Sequence, residues 1–457
     1  MPNKKVAILG GGESGVGAAL LAQANGYEVF LSDRGELKDQ YRADLNRAGI
    51  AFEEGQHTEN QILSAAEVIK SPGIPDTTPL VQKLRASGTP VISEIEFATR
   101  YTSAKLIGIT GSNGKTTTAL LTYHILKTAG FSVGLAGNIG DSFARSVLED
   151  QFDYYVLEIS SFQLDGMCNT RFDVAVLLNI TPDHLDRYQY DFQQYVNSKF
   201  RILQNMRPTD PFIYFQENPA IASEMQMRNP TVRRLPFSLE EPLIPGGYVL
   251  NEQITVQAGS QPFVADTAGL PLSGQHNAMN MMASLLVAQS VGVPNDTLLT
   301  ALQTFINAPH RLELVATING IRFINDSKAT NVDSVFYALG SMTAPTVWIA
   351  GGVDKGNDYS VLNALASHHV KALVCLGTDN TKLTAHFGGL IPTILETQNI
   401  TEAVRLAASV AEPGDVALLS PACASFDLFR NYEDRGDQFK QAVNALKTQE
   451  ERRETQD

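Results

Sequence analysis

The 457-residue sequence predicts an α/β protein of three domains, and two observations support this fold class. Short apolar runs of strand length alternate with stretches of helical periodicity, a pattern typical of parallel sheets covered by helices. Two glycine-rich loops, at residues 10–17 and 110–114, each follow such an apolar run and precede a helical pattern. At about 150 residues per domain, the chain length fits three domains.

The composition describes a folded, acidic protein. Hydrophobic residues make up 43% of the chain and charged residues 18%, which is enough apolar material for sizeable cores. Thirty-five Lys and Arg against 49 Asp and Glu give a formal charge of −14, which argues against nucleic acid as a partner. Anionic ligands must therefore be held by glycine loops, helix N-termini, individual cations and metal ions.

The cysteines and the N-terminus favour a cytoplasmic location. Cys168, Cys375 and Cys423 are widely spaced and odd in number, which fits neither a disulfide framework nor a zinc site. The N-terminus runs into a predicted strand without a signal-peptide core, and no run of eighteen apolar residues occurs. We expect no membrane segment.

The first glycine loop predicts a nucleotide-binding βαβ unit. Gly10, Gly12 and Gly15 stand in the spacing G-x-G-x-x-G between predicted strands at residues 6–9 and 27–31. The helical pattern of this unit is expected only after the glycines, from residue 18 to 24.

The ligand of this unit stays open on these residues alone. Asp33 follows the second strand, where an acidic residue can hold a ribose hydroxyl. A rigid Ser-Pro-Gly-Ile-Pro turn at residues 71–75 follows another predicted strand, at the sheet edge where ligands bind. A redox dinucleotide, as in a dehydrogenase, and a UDP-type ligand fit this geometry equally well.

The second glycine loop predicts a site for ATP. An apolar strand at residues 106–109 leads into Gly111 and Gly114, and a helix is expected at residues 116–128. Small residues let backbone N–H groups approach phosphates, and the helix N-terminus adds partial positive charge.

The residues after this loop strengthen the prediction. Lys115 can reach the β- and γ-phosphates, and the Thr116 hydroxyl can bind Mg²⁺. The strict pattern G-x-x-x-x-G-K-[ST] is not met, because Ile109 stands five positions before Gly114. The Gly-Lys-Thr sequence nevertheless falls at the strand-to-helix junction that this chemistry requires.

Polar residues that follow two further predicted strands indicate a metal site. Glu158 follows a predicted strand at residues 154–157, and His184 lies beyond one at 174–178. The carboxyl ends of parallel strands meet at one sheet edge, where such groups can bind a metal beside a phosphate loop.

Lys199 is the most informative lysine of this segment. It lies within the apolar stripe of a predicted helix at residues 190–203, four after Tyr195 and four before Leu203. It either snorkels at the rim or is functional, and the pattern alone favours the rim. Burial would lower its pKa and free an amine that can capture CO₂ as a carbamate.

The later chain adds further ligand candidates. Residues 210–265 are predicted to be a β-rich elaboration, and a Met-rich helix follows with Asn277 and Asn280 on its first turn. After a hinge at residues 307–311, α/β alternation resumes, and Lys328 and Lys355 supply cations for a phosphate or carboxylate. The expected domains are residues 1–99, 100–308 and 309–457.

Jointly, the motifs resemble the Mur ligase family, the ATP-dependent amide-bond ligases of peptidoglycan precursor synthesis. The resemblance covers nearly the whole chain, and its C-terminal motifs are similar to those of the D-glutamate-adding branch. It rests on the segments at residues 110–116, 158–163, 183–184, 274–277, 309–311, 326–331, 351–355, 420–427 and 430–436.

The resemblance implies a function for each domain. A Rossmann-like first domain would bind the UDP end of UDP-N-acetylmuramoyl-L-alanine, a central P-loop domain would bind ATP, and a Rossmann-like third domain would bind D-glutamate. It further implies two Mg²⁺ ions and a carbamylated Lys199, which reverses the preference for the rim. We expect a monomer without nucleic-acid or membrane partners.

The resemblance also assigns roles residue by residue. Catalytic roles fall to Lys115, Glu158, His184 and Lys199, and metal ligation falls to Thr116, Glu158, His184 and Lys199. The implied ATP contacts are Gly111, Asn113, Gly114, Lys115, Thr116, Thr117, Asn277, Asn280, Arg311 and Asp326. The implied substrate contacts are Ser14, Gly15, Asp33, Ser71, Gly73, Asn138, Lys328, Thr330, Lys355, Ser425, Phe426 and Tyr432.

Two positions depart from the family pattern, and three alternatives remain: another Mur-type ligase, a folylpolyglutamate-type ligase and a non-catalytic nucleotide-binding regulator. Tyr432 stands where a phenylalanine is usual, and Phe426 stands where a leucine is usual. A folylpolyglutamate-type ligase resembles only the last two domains. A non-catalytic nucleotide-binding regulator would be expected to lack a metal ligand or Lys115.

Overall fold

A computed structural model describes residues 4–149, 152–272 and 274–454. Its strands form three sheets, one in each predicted segment. The chain groups into two compact units, Met1–Pro271 with Asn277–Phe305, and Leu272–His276 with Ile306–Asp457. The predicted α/β class is confirmed, whereas the domain boundaries at residues 99 and 308 stay predictions.

The N-terminal sheet is fully parallel, with strand order β3-β2-β1-β4-β5. The chain order reverses beside β1, and a reversal of this kind leaves a crevice at the carboxyl ends of the strands. Its strands are β1 (Lys5–Leu9), β2 (Glu28–Ser32), β3 (Ala51–Glu53), β4 (Glu67–Lys70) and β5 (Val91–Ile92). Its helices are α1 (Glu13–Ala24), α2 (Asp39–Arg47), α3 (Glu59–Leu63), α4 (Pro79–Ala86) and α5 (Glu94–Ala98).

The second sheet has the order β14-β13-β12-β11-β10-β9-β6-β8-β7 and is parallel except at its β13 and β14 end. Strand β6, which precedes the predicted phosphate loop, lies between β8 and β9. The strands are β6 (Lys105–Thr110), β7 (Val133–Gly137), β8 (Tyr154–Glu158), β9 (Val174–Leu177), β10 (Pro211–Phe215), β11 (Arg233–Ser238), β12 (Gly246–Leu250), β13 (Gln253–Gln257) and β14 (Phe263–Asp266). The helices are α6 (Lys115–Thr128), α7 (Phe143–Glu149), α8 (Ser161–Asp165), α9 (Phe192–Phe200), α10 (Pro219–Arg228), α11 (Gln275–Ser290) and α12 (Asn295–Thr304).

The third sheet, in the second unit, has the order β15-β16-β20-β17-β18-β19, and only the β15–β16 pair is antiparallel. The single tryptophan, Trp348, is fully buried in β17. The strands are β15 (Glu313–Ile318), β16 (Ile321–Asn325), β17 (Thr346–Gly351), β18 (Val370–Leu376), β19 (Thr393–Thr397) and β20 (Val416–Ala422). The helices are α13 (Val332–Gly340), α14 (Asn363–His369), α15 (Thr381–Phe387), α16 (Ile400–Val410) and α17 (Tyr432–Glu454).

Helix α1 begins earlier than the sequence pattern predicted. It starts at Glu13, so Gly15 lies inside the helix rather than in the loop. A Cβ atom on Gly15 would lie 1.8 Å from the carbonyl oxygen of Gly10. The glycine therefore serves close packing between the helix and the loop, which apolar periodicity does not reveal.

Helix α10 was missed in the segment predicted to be β-rich. Asn218 caps this helix by accepting a hydrogen bond from the backbone N–H of Ile221 at 3.1 Å, and Pro219 occupies its first turn. An Asn-Pro start is a helix signal that the sequence did carry. Across the described residues, no helix is long and apolar enough to span a membrane.

Candidate functional site

The predicted phosphate loop lies between β6 and α6, and the helix begins at Lys115 rather than at residue 116. Gly114 adopts φ 85°, in the left-handed region that favours glycine. The Lys115 ammonium donates to the carbonyl oxygens of Gly111 and Ser112, each at 2.8 Å. The loop thus folds around the lysine that is predicted to contact phosphate.

Lys199 is fully buried, so the rim position that the pattern alone favoured is wrong. Its side chain is 1% exposed, and its Nζ donates to the carbonyl oxygen of Gly111 at 2.9 Å. Its Nζ also lies 4.8 Å from the centre of the Tyr195 ring. Burial, reinforced by the charge of Lys115, holds the pKa of Lys199 well below its usual value. A lowered pKa increases the share of neutral, nucleophilic amine relative to an exposed lysine.

Glu158 forms a carboxylate bridge beside the loop. It is the last residue of β8 and is 2% exposed. Its Oε2 accepts from the Thr116 hydroxyl at 2.7 Å, and its Oε1 accepts from the Asn138 amide at 2.9 Å. The structure thus brings together two predicted metal ligands and one predicted substrate contact.

His184 is placed differently from Glu158. It adopts φ 52°, its side chain is 46% exposed, and its Nε2 lies 3.6 Å from Asp183 Oδ2. Among the described residues, no group of three His, Cys, Asp or Glu side chains is placed to hold a metal. Glu158 and Thr116 nevertheless offer adjacent oxygen donors, which suit Mg²⁺ because this ion keeps several ligands from water and phosphate.

Asparagines hold the ends of the phosphate loop. The backbone N–H of Asn113 donates to Asn179 Oδ1 at 2.8 Å, and the Asn179 amide donates to the Asn113 carbonyl at 3.1 Å. Asn280 Oδ1 accepts from the Thr118 hydroxyl at 3.1 Å, and the Asn280 amide donates to Asn277 at 3.2 Å. Sequence analysis did not single out Asn179, although its position after β9, next to β6, was a usable signal.

The N-terminal residues line a cavity of about 830 Å³ at the carboxyl ends of the first sheet. The backbone N–H groups of Gly11 and Gly35 donate to the two oxygens of Asp33, at 2.5 and 2.7 Å. Of the predicted contacts, the cavity wall includes Asp33, Ser71 and Gly73, but neither Ser14 nor Gly15.

Asp326 and Arg311 belong to the second unit, whereas Asn277 and Asn280 belong to the first. Asp326 accepts from the Ser420 hydroxyl at 3.0 Å and from the backbone N–H of Leu312 at 3.2 Å. Burial raises the pKa of the Asp326 carboxyl to about 7, and the charge of Arg311 opposes this shift. Asp326 therefore changes protonation within the neutral range.

The residues predicted to contact the amino-acid substrate lie in the second unit and differ in exposure. Lys328 Nζ lies 3.8 Å from the centre of the Tyr432 ring, so these two predicted contacts meet directly. Ser425 is buried, whereas Phe426 is 69% exposed and Lys355 is exposed. Thr330 is partly buried, and its backbone N–H donates to the Lys328 carbonyl at 2.8 Å.

Arg435 connects the loops that carry these residues, and sequence analysis did not select it. Its buried guanidinium donates to the Ser327 hydroxyl at 3.0 Å and to the Cys423 carbonyl at 3.2 Å. Ser327 precedes Lys328, and Cys423 lies two residues before Ser425. The arginine therefore holds two of the predicted binding segments together.

Three family models match this chain. The model described as the MurD N-terminal domain matches residues 5–79, the Mur ligase middle domain matches 109–288, and the Mur ligase glutamate ligase domain matches 310–423. The three matches fall one in each predicted segment of the chain.

Curated relatives are similar over almost the full chain. A UDP-N-acetylmuramoylalanine–D-glutamate ligase of Cytophaga hutchinsonii is 52% identical over 447 residues, which is 97% of this chain and 99% of the relative. The enzyme of the same name from Bacteroides fragilis is 52% identical over 448 residues, which is 97% of this chain and 100% of the relative.

Solved structures agree in fold at low identity. A pseudomurein peptide ligase type C from Methanothermus fervidus has a TM-score of 0.63 at 20% identity, covering 97% of this chain and all of the other. The UDP-N-acetylmuramate-alanine ligase of Thermotoga maritima has a TM-score of 0.60 at 18% identity, with 97% and 100% covered.

Proposed function

This chain belongs to the Mur ligase family, and on that premise we propose how its residues carry out the reaction. The protein is an ATP-dependent, ADP-forming ligase of peptidoglycan precursor synthesis. It adds D-glutamate to UDP-N-acetylmuramoyl-L-alanine, as its relatives at about 50% identity are named for doing. The match of residues 5–79 to the MurD N-terminal domain disfavours a folylpolyglutamate-type ligase, because that resemblance covers only the last two domains.

The chemistry proceeds in two bond exchanges. A carboxylate oxygen of the L-alanyl group attacks the γ-phosphorus of ATP, and the bond to the bridging oxygen breaks to release ADP. The amine of D-glutamate then attacks the acyl carbon of the resulting acyl phosphate. An amide bond forms, inorganic phosphate leaves, and the amine loses a proton. Such a reaction needs positioning and charge stabilisation more than covalent participation by the protein.

The phosphate loop carries this proposal. Lys115 already points its ammonium at the loop carbonyls of Gly111 and Ser112, so a bound γ-phosphate would compete with those carbonyls for it. The ammonium would then stabilise negative charge that accumulates on the transferred phosphoryl group. Gly114 and the start of α6 supply backbone N–H groups to the same phosphates.

The magnesium ligands would come from the same edge. Glu158 and Thr116 are 2.7 Å apart through their oxygens and fit a magnesium ion that also binds ATP phosphates. When bound, Mg²⁺ screens phosphate charge and orients the transferring group. We propose that His184 and Lys199 would help to hold a second magnesium ion, so that the site would bind two ions.

Lys199 would contribute as a carbamate. The neutral amine of Lys199 would attack CO₂ and the product would lose one proton, so that a neutral amine becomes an anionic carbamate whose oxygens can bind a metal. The buried setting and the lowered pKa of Lys199 favour the neutral amine that this step needs.

Substrate binding is assigned to the two ends of the chain. The cavity beside Asp33, Ser71 and Gly73 would hold the UDP end, with Ser14 and Gly15 supporting the loop and Asn138 contacting the substrate further along. The further residues proposed to contact ATP are Gly111, Asn113, Thr117, Asn277, Asn280, Arg311 and Asp326. The residues proposed to contact D-glutamate are Lys328, Thr330, Lys355, Ser425, Phe426 and Tyr432.

We further propose residues 1–99, 100–308 and 309–457 as the three domains of a cytoplasmic monomer. Use of ATP fits a cytoplasmic enzyme. A monomer suffices because one chain carries all the proposed groups.

Phosphate release from ATP and UDP-N-acetylmuramoyl-L-alanine tests the amino-acid assignment. D-glutamate, L-glutamate, L-lysine and meso-diaminopimelate are compared, with each substrate omitted in turn. We expect release only when ATP, the sugar nucleotide and D-glutamate are all present. Release with another amino acid but not with D-glutamate would refute the assignment.

A further inference from the structure

The Ser32 hydroxyl lies at the centre of a small polar cluster beside the N-terminal cavity. It ends β2 and is fully buried. Its oxygen lies 2.6 Å from His57 Nδ1, 2.7 Å from Glu53 Oε1 and 3.3 Å from the Gln56 carbonyl oxygen. Three polar neighbours therefore share one hydroxyl group.

Counting hydrogens assigns the tautomer of His57. A serine hydroxyl has one hydrogen to donate, and a carboxylate or a carbonyl can only accept. Glu53 is ionised, because hydrogen bonds from Thr58 and Ser32 lower its pKa despite the opposing effect of burial. The Ser32 hydrogen therefore points to an oxygen, mainly that of Glu53, and His57 Nδ1 must donate to Ser32. If Nδ1 carried no hydrogen, the single Ser32 hydrogen could serve only one of its two close neighbours. Lone pairs would then face each other either between Ser32 and His57 Nδ1, at 2.6 Å, or between Ser32 and Glu53 Oε1, at 2.7 Å.

The other ring nitrogen of His57 is then an acceptor. Burial and the nearby charge of Arg34 lower the pKa of His57, and this outweighs the opposing effects of Glu53 and Asp33. The ring is therefore neutral at pH 7, with its proton on Nδ1 and a lone pair on Nε2. His57 lines the 830 Å³ cavity together with Asp33 and Arg34. No protein partner of Nε2 occurs among the described residues.

We propose that His57 Nε2 accepts a hydrogen bond from the nucleoside end of the sugar-nucleotide substrate. This inference rests on the proposed function, which places the UDP end in this cavity. Uracil carries an imide N–H at N3, where cytosine has only a lone pair, and the ribose carries hydroxyl donors. Either kind of donor matches the acceptor that the Ser32 and Glu53 cluster creates.

Calorimetric binding of UDP to the full chain tests the proposal with His57→Leu, His57→Gln and an exposed control, His368→Leu. Leucine fills similar space without an acceptor, so we expect UDP to bind about five- to tenfold more weakly, as for the loss of one hydrogen bond. Glutamine can present an oxygen near the former Nε2 position and should restore part of the affinity. The His368 variant should match wild type.

Two analogues identify the donor. If the imide is the donor, N3-methyl-UDP should bind wild type and His57→Leu equally, while 2′-deoxy-UDP still distinguishes them. The reverse result assigns the 2′-hydroxyl. A His57→Leu variant that binds UDP as tightly as wild type overturns the proposal.

The pH profile separates this role from a structural one. Protonation of Nε2 removes the acceptor, so the affinity advantage of wild type over His57→Leu should disappear as pH falls below the usual histidine value of 6.5. The diphosphate of UDP titrates in the same way with both proteins, so its effect cancels when their affinities are compared. An advantage that stays constant down to the lowest pH at which the protein stays folded would contradict the inference. Failure of wild type to bind UDP would instead refute the proposed function.

Discussion

The Nζ atoms of Lys115 and Lys199 both donate to the carbonyl oxygen of Gly111, at 2.8 and 2.9 Å. Two ammonium groups on one acceptor repel each other, and this repulsion adds to burial in lowering the pKa of Lys199. Converting Lys199 to a carbamate would replace that repulsion by attraction. The shared carbonyl therefore links the lysine proposed to bind phosphate to the proposed metal ligand.

Replacement of Lys199 by alanine is expected to lower kcat by about 100-fold or more, because the proposed anionic ligand beside the transferring phosphate is lost. Formate or acetate should restore part of this activity by occupying the vacated space. Steady-state phosphate release measures both effects. The exposed helical Lys127→Ala variant is the control and should retain activity without responding to carboxylates. No rescue at any carboxylate concentration would leave the carbamate without support.

Replacement of Glu158 by glutamine keeps the side-chain shape but removes its charge. The new amide also places a donor against either the Thr116 hydroxyl or the Asn138 amide, which both donate to Glu158. We expect the Mg²⁺ concentration for half-maximal activity to rise about 10- to 100-fold, as for disturbed metal sites. Glu149→Gln, at an exposed position on α7, should leave the magnesium titration unchanged. Superimposable titrations for Glu158→Gln and wild type would rule out this ligand.

Replacement of Gly114 by alanine tests the loop geometry. The new Cβ would lie 2.5 Å from Asn280 Oδ1, in a residue at φ 85°. Gly130 has a similar φ of 81° with nothing within 4 Å of a Cβ, so Gly130→Ala carries the backbone cost without the clash. We expect ATP affinity to fall at least about tenfold for the first variant only, since displaced loop N–H groups no longer meet the phosphates. Equal ATP affinities for the two variants would contradict the role of the loop.

The raised pKa of Asp326 predicts a pH-dependent stability of the second unit. Its pKa is about 7 in the folded protein against an ordinary 3.8, so the folded state binds the proton more tightly. This contribution is complete below pH 4 and is lost as pH rises to about 7. Relative to Asp326→Asn, wild type should lose up to about 1.4 kcal/mol of unfolding free energy per pH unit in that window.

Fluorescence of Trp348 follows this transition, because the single tryptophan is buried in the same unit as Asp326. Denaturant titrations at several pH values then give the difference between wild type and variant. All other titrating groups are the same in wild type and variant, so their contributions cancel in the difference between the two unfolding free energies. Parallel stability curves between pH 4 and 7 would show that Asp326 has an ordinary pKa.

Local patterns predicted the strand-loop-helix units well, because each depends on neighbouring residues. The Gly-Lys-Thr junction at the start of α6 and the glycine loop before α1 were both identified from the sequence. The Asn-Pro start of α10 is equally local, but the surrounding Pro- and Asn-rich composition obscured it.

Contacts between distant parts of the chain could not be predicted from pattern alone. The apolar stripe of α9 places Lys199 on the inner face of the helix but does not show how deeply its side chain is buried. The hydrogen-bond partner of Lys199, Gly111, is 88 residues away in the sequence. The pairing of Asn113 with Asn179 depends on β6 and β9 being neighbours in the sheet. The His57 tautomer depends on three atoms meeting at Ser32, which spacing cannot reveal.

A crystal structure with a non-hydrolysable ATP analogue and Mg²⁺ tests the central claim most directly. The account predicts the γ-phosphate within hydrogen-bond distance of Lys115 Nζ, with the metal beside Thr116 and Glu158. A nucleotide bound away from the loop between β6 and α6 would contradict it.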